Sequence, residues 1–118
     1  MSYMDKYSKS VKKLIRQYLG EAYVRETHQE LARLDQSFAE WREGRVDNEE
    51  LNQRIHIYHN ETARDMFNRY NGPFPDLVVA NAFATGLLEP KEAPPELLAA
   101  LAEEIKDIQR HLREENEG

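Results

Sequence analysis

The stretch SKSVKKLIRQYLGEAYVRETHQELARLDQSFAEWRE, residues 8–43, decides the fold because one predicted helix carries two apolar stripes. Each residue advances about 100° around a helix, so the apolar residues before position 23 share one face and the later ones share a nearly opposite face. One neighbouring helix cannot cover both. We expect either a bend near Gly20 or a continuous helix whose first part packs on a different surface. The first stripe is Val11, Leu14, Ile15, Tyr18, Leu19 and Ala22, and the second is Tyr23, Leu31, Leu34, Phe38 and Trp41.

The continuous-helix alternative predicts self-association through the N-terminal arm, residues 1–20. If the helix does not fold back, a second subunit is the simplest cover for the first stripe, most often by two-fold symmetry. The arm is also basic, because Asp5 is its only acid, so it could lie against an acidic surface of that subunit. The candidate self-association residues are Val11, Leu14, Ile15, Tyr18 and Leu19, and the basic ones are Lys6, Lys9, Lys12, Lys13 and Arg16.

Composition excludes several classes of protein. A chain of 118 residues is long enough for one domain, and its hydrophobic content of 40% allows a real core. The net charge of −6 disfavours nucleic-acid binding, although the basic arm keeps a nucleic-acid-binding regulator as a third hypothesis. There is no cysteine, no apolar run approaches the length of a membrane span, and the N-terminus does not resemble a signal peptide. We therefore expect a cytoplasmic protein without a membrane segment.

The sequence patterns of the remaining segments also predict helices, so we expect an all-α chain. Asp47 can cap a second helix that ends near Tyr70, and Pro75 suits the first position of a third. A fourth helix should run from Pro95 to about Arg113, with residues 114–118 as a frayed tail. The expected fold is a single-domain bundle of about four helices over residues 1–118, with a long or kinked first helix.

The second predicted helix contains the most polar candidate site, in RIHIYHNETARDMFNRY, residues 54–70. On a regular helical wheel, Asn52, His56 and His59 fall on the apolar side, and His59 lies near its middle. A buried polar group without a partner costs about 1 to 3 kcal/mol, so these side chains would need partners. Ile57 falls on the polar side, where it weakly suggests a contact surface.

Three interpretations of the histidines remain open. The first is a core hydrogen-bond network around His59, which we favour because buried polar groups are usually paired. The second is a pocket in which His56 and His59 bind a metal or act as acid and base, with His28 or Asp35 as a third ligand. The third is a pH-sensitive interface histidine. No Gly-rich phosphate loop, nucleophile elbow or metal-binding histidine motif is present, so no catalytic residue and no cofactor is predicted.

The segments LARLDQSFAEWREGRVD, LNQRIHIYHNETARDMFNRY and ATGLLEPKEAPPELL together resemble a family of short bacterial all-α proteins without an established activity. The similarity lies in the order E-L-x-x-x-I-H-x-[FY]-H, then A-R-[DE] and a large apolar residue, followed by a tyrosine, and covers about residues 8–112. It implies a bacterial cytosolic origin and an unfused domain, and carries over no site residue.

Taken together, the sequence favours a small cytosolic helical interaction module that self-associates, with a second copy of the chain (a homodimer) or another protein as its expected partner. The alternative is a small-ligand or metal-binding enzyme centred on His56 and His59. The two hypotheses are distinguished by the contacts of His59 and by the residues that cover Val11 and Ile15.

Overall fold

A computed structural model describes residues 2–117, and within them every regular element is helical. The predicted fold class, a single all-α domain with a long first helix, is confirmed. Two short 3₁₀ turns, at Tyr3–Lys6 and Pro90–Glu92, accompany the longer elements. These are α1 (Lys9–Arg42), α2 (Asn48–Ile57), a π-helical segment (Tyr58–Thr62), α3 (Ala63–Tyr70), α4 (Pro75–Thr85), α5 (Pro95–Ala100) and α6 (Ala102–Glu117).

Helix α1 is continuous through Gly20, and its two stripes belong to two different compact units. Unit 1 comprises the chain up to Ala22 and from Gly72 onward, and unit 2 comprises Tyr23–Asn71. The change of unit therefore coincides with the change of stripe. An α-helix can serve two units in this way without any local distortion, because only its side chains distinguish its faces.

The prediction that a second subunit covers the first stripe is wrong. Val11 and Ile15 are buried within unit 1, at 6% and 0% exposure, and Leu14, Tyr18 and Leu19 are half-buried. Tyr18 packs on Phe83 with ring centroids 6.1 Å apart, and its hydroxyl donates to the carbonyl of Glu92 at 2.8 Å. The stripe looked unpartnered because its cover, α4 and the segment after it, lies far along the chain.

Unit 1 has a compact core of its own. Helix α4 packs against α6. The predicted fourth helix is divided at Leu101, whose side chain is fully buried. It also ends later than expected, since α6 continues to Glu117, so the frayed tail is wrong for residues 114–117 while Gly118 lies outside the described residues. The core includes Ile15, Val79, Ala80, Phe83, Leu88, Leu97 and Leu101.

Unit 2 is a helical hairpin formed by the second part of α1 and by α2, the π segment and α3. Asp47 caps α2 as predicted, because its carboxylate accepts a hydrogen bond from the backbone N–H of Glu50 at 2.8 Å. Few apolar side chains are buried in this unit. Its buried apolar residues are Val46, Leu51, Met66 and Tyr70.

The π segment has a cause in the spacing of the residues that face α1. The chain advances nineteen residues from Leu51 to Tyr70 in five steps of one turn each, whereas five α-helical turns hold about eighteen. The backbone N–H of Ala63 donates to the carbonyl of Tyr58, five residues earlier, which absorbs the extra residue. The facing residues, all buried or half-buried, are Leu51, Ile55, Tyr58, Thr62, Met66 and Tyr70.

Deleting Asn60, an exposed residue of the π segment, should convert the segment into regular α-helix and leave the facing residues aligned. The free energy of unfolding should then stay within about 1 kcal/mol of the wild type. Deleting the exposed Asn68 instead rotates Tyr70 away from α1 and should cost about 1 to 3 kcal/mol, because the Tyr70 hydroxyl loses its partner. Chemical denaturation of the two variants measures both values, and equal losses would contradict this explanation of the π segment.

Candidate functional site

The structure places the three predicted site residues at the surface. Asn52, His56 and His59 are all exposed, so the prediction of a buried hydrogen-bond network around His59 is wrong. The error comes from the regular wheel. A regular wheel gives every residue the same angle, but the π segment contains one extra residue. The residues that face α1 before and after this segment therefore appear at different angles on the wheel. Together they fill one wide apolar arc, and His59 falls at its middle.

Within residues 2–117, the hydrogen-bond contacts of the His56 residue are with the neighbouring turn of its own helical arm. The side-chain nitrogen of Asn60 lies 3.0 Å from Nδ1 of His56 and donates to the carbonyl of His56 at 3.2 Å. Because an amide nitrogen only donates, Nδ1 of His56 is the acceptor in this contact. This contact ties two neighbouring turns together across the start of the π segment.

Asn52 and His56 line an open concavity of about 740 Å³ with Asp47, Glu49, Glu50 and Gln53. All six residues come from α2 and its cap, so one helix face supplies the whole lining. Such a surface cannot enclose a ligand or exclude water, which ligand sites ordinarily do. We therefore treat it as the solvated acidic face of α2.

The structure gives the alternative metal site no geometric support. Within residues 2–117 no three His, Cys, Asp or Glu side chains come together in a group that could hold a metal ion. His28 is exposed on α1, and His56 and His59 are exposed on the other arm of the hairpin. The interpretation of these histidines as a metal centre or an acid–base pair consequently depends on sequence spacing alone.

One polar cluster joins the two arms of the hairpin. The two terminal guanidinium nitrogens of Arg69, Nη1 and Nη2, donate to the Glu26 carboxylate at 2.8 and 2.7 Å, and the Tyr70 hydroxyl donates to the same carboxylate at 2.8 Å. The bond with Arg69 is the main reason that the pKa of Glu26 is lowered, and the bond with Tyr70 adds to it. Tyr23 packs edge-on against Tyr70 with ring centroids 5.1 Å apart. This cluster holds α3 on α1.

The hairpin leaves part of the second stripe uncovered. Along α1, three apolar residues follow one another at seven-residue intervals, and we call Val24, Leu31 and Phe38 the α1 ridge. Val24 is 63% exposed, Leu31 is 47% exposed, and Phe38 is half-buried. Helices that pack along one another as coiled coils carry two apolar positions in every seven residues, and the ridge supplies one of them. Its first two members, Val24 and Leu31, are exposed.

Other features of unit 2 agree with a contact surface. Ile57, Trp41 and Phe67 are 39%, 40% and 58% exposed, which confirms the predicted exposure of Ile57. Every lysine of the chain lies outside residues 23–71, so arginine supplies all the lysine and arginine charge of unit 2. Protein interfaces favour arginine and aromatic residues and disfavour lysine. Both the repeat and the arginine bias can be read from the sequence.

Sequence reasoning missed Asp76, the only charged side chain that is fully buried in the described chain. It lies at the second position of α4, directly after Pro75. An acidic residue in the first turn of a helix ordinarily indicates a favourable charge near the helix N-terminus and nothing more. No local pattern distinguishes this aspartate from an exposed one, because its partners Tyr3 and Tyr7 come from the other end of unit 1.

Comparisons of the chain with protein-family models, curated proteins and solved structures find no match. The resemblance to short bacterial proteins therefore stays a prediction. Among the described helices, none combines the length and apolar character needed to cross a bilayer.

Replacing His59 by alanine should change the free energy of unfolding by no more than about 0.5 kcal/mol, because the side chain is exposed and makes no described hydrogen bond. His56→Ala should behave similarly. The buried Met66 of the same helical arm provides the reference, since Met66→Ala should cost about 2 to 5 kcal/mol. Thermal or urea unfolding of the three variants measures this contrast. A loss in His59→Ala that approaches that of Met66→Ala would restore the buried network.

Proposed function

We propose that this protein is a small cytoplasmic helical interaction module that associates with a second copy of itself through the α1 ridge. The observation that carries this proposal is the seven-residue repeat of Val24, Leu31 and Phe38, of which Val24 and Leu31 are exposed and Phe38 is half-buried. Burying it against another helix removes apolar surface from water, at roughly 25 cal/mol for each Å². A hairpin of two helices has no third helix to do this.

The ridge is complementary to itself in an antiparallel arrangement. Val24 precedes Leu31 by seven residues and Phe38 follows it by seven. A two-fold axis that passes beside Leu31 therefore places Val24 against Phe38 of the partner subunit, a small side chain against a large one. Isologous contacts of this type are the commonest in soluble oligomers. Two hairpins paired through α1 form a four-helix arrangement, the usual way in which helical hairpins complete a core.

Other features of unit 2 suit a protein partner. The exposed aromatic side chains Trp41 and Phe67, together with an all-arginine basic set, match the composition of interfaces. The Glu26–Arg69–Tyr70 cluster fixes α3 on α1, so the ridge is presented by a backbone that is already ordered. Preorganisation of this type reduces the entropic cost of association.

The position of Leu31 on the two-fold axis allows a charge-exchange test. Leu31→Glu alone and Leu31→Lys alone should each be monomeric, because the axis brings two like charges together. An equimolar mixture should dimerise, because the charges at the axis are then opposite. Light scattering at micromolar concentration and low salt measures the three samples, with circular dichroism to show that each variant remains helical.

Leu77→Glu is the matched control, since Leu77 is 40% exposed but lies in unit 1, and it should dimerise like the wild type. The proposal fails if the wild type is monomeric throughout this range. It also fails if Leu77→Glu disrupts the dimer as strongly as Leu31→Glu does.

A further inference from the structure

The N-terminal turn and α4 build a polar cluster around Asp76 in unit 1. The Tyr3 hydroxyl donates to Oδ2 of Asp76 at 2.9 Å, and the Tyr7 hydroxyl donates to the same oxygen at 2.6 Å. Asp76 is completely buried, whereas Tyr3 is 40% exposed. These two hydrogen bonds fix both aromatic rings beside a buried carboxylate.

The ammonium group of Lys6 lies between these groups. Its Nζ is 4.2 Å from the centroid of the Tyr3 ring, 5.3 Å from that of the Tyr7 ring and 3.8 Å from Oδ2 of Asp76. Both rings are within the range in which a cation is attracted to an aromatic face. Two aromatic faces and a carboxylate around one ammonium group form a cage of the type that recognises alkylammonium ions.

The charges of the cage favour a cation. A hydrogen bond with Tyr3, and then the nearby carboxylates of Asp76 and Glu104, raise the pKa of Lys6. Burial, and then the bond with Asp76, raises the pKa of Tyr7, so its hydroxyl stays a donor. The carboxylate of Asp76, 3.8 Å from the ammonium nitrogen, is therefore the acidic group of this cage.

One polar atom of the cage is unsatisfied. Oδ1 of Asp76 is buried and has no hydrogen-bond partner among the described residues. A buried carboxylate oxygen without a donor is costly, and natural proteins rarely keep one without a reason. A cation that carries an N–H group could donate to this oxygen. The unsatisfied oxygen is therefore a second observation in favour of a cation site, in addition to the positions of the two rings.

We propose that Tyr3, Tyr7 and Asp76 form a binding site for an alkylammonium group, which Lys6 occupies in the free chain as an internal competitor. The Lys6 side chain is 48% exposed, so it can leave the cage toward solvent without unfolding the unit. The ligand carries the same chemistry as the lysine it replaces, as a lysine side chain of another polypeptide or as a small quaternary amine. This site is separate from the α1 ridge and does not depend on self-association.

Tethering makes Lys6 a strong competitor. A group attached to the same chain acts at a high effective concentration, so an added amine must compete with it. Removal of the Lys6 charge should therefore raise the affinity of the cage for an added amine. It should also remove a cation from beside the buried Asp76, which an added ammonium ion would replace.

The test uses Lys6→Met, which keeps an unbranched side chain, shorter by one atom, and removes its charge. Tetramethylammonium chloride is titrated into this variant and into the wild type, and the ring resonances of Tyr3 and Tyr7 are followed by NMR. The variant should show saturable shifts with an affinity at least about tenfold higher than that of the wild type, because the tethered competitor is gone. Neopentyl alcohol, neutral and similar in shape, should cause no such shifts.

Two further measurements keep the proposal falsifiable if the N-terminal turn detaches in Lys6→Met. In that case tetramethylammonium should return the Tyr3 and Tyr7 resonances toward their wild-type positions. In Lys6→Met with Tyr3→Leu, which removes one half-exposed ring, the response should be lost while the helical content measured by circular dichroism is unchanged. The proposal is overturned if folded Lys6→Met responds no more to tetramethylammonium than to the alcohol, or if the response survives Tyr3→Leu.

The source of the ligand can be distinguished with the same variant. N-acetyl-lysine methylamide, which carries a primary ammonium group, is compared with tetramethylammonium. Tighter binding of the lysine derivative supports the site and assigns it to a polypeptide lysine, since a primary ammonium can donate to Oδ1 of Asp76. Tighter binding of tetramethylammonium supports the site and assigns it to a quaternary amine.

Discussion

The rest of the structure depends on the change of face along α1. One continuous helix from Lys9 to Arg42 carries two apolar stripes on nearly opposite sides, and each stripe enters a different compact unit. A helix needs no local distortion of its backbone to do this. However, a helix that packs on one stripe cannot also pack on the other, because the two stripes lie on nearly opposite sides. The number of other helices in each unit then decides how much of its apolar stripe is covered.

The two units differ in the cover that they receive. In unit 1, Val11 and Ile15 are buried, and Tyr18 of the same stripe contacts Phe83 of α4 and the carbonyl of Glu92. The fully buried Asp76 of this unit accepts hydrogen bonds from the hydroxyls of Tyr3 and Tyr7. Unit 2 has a single partner for α1, the arm from α2 to α3. That arm meets α1 over five turns only because a π segment absorbs one extra residue. The α1 ridge remains outside this contact, and the proposed self-association follows from that shortage.

The sequence predicted features that depend on neighbouring residues. The capping of α2 by Asp47, the start of α4 at Pro75 and the phase change in α1 all follow from local chemistry or helical periodicity. The position of His59 was wrong because the wheel assumed a constant period, although the four-residue steps from Tyr58 to Tyr70 already contain the excess residue. The burial of Asp76 and the cover of Ile15 could not be predicted, because their partners are distant in sequence.

The most direct test of the central claim uses the absence of cysteine from the natural chain. Leu31→Cys and Leu77→Cys introduce single thiols at two positions of similar exposure, one on the α1 ridge and one in unit 1. A disulfide requires Cα atoms within about 7 Å, which an antiparallel pair with its axis beside residue 31 can provide. The account predicts that mild oxidation links Leu31→Cys into a disulfide dimer much faster than Leu77→Cys. Equal rates for the two variants would contradict it.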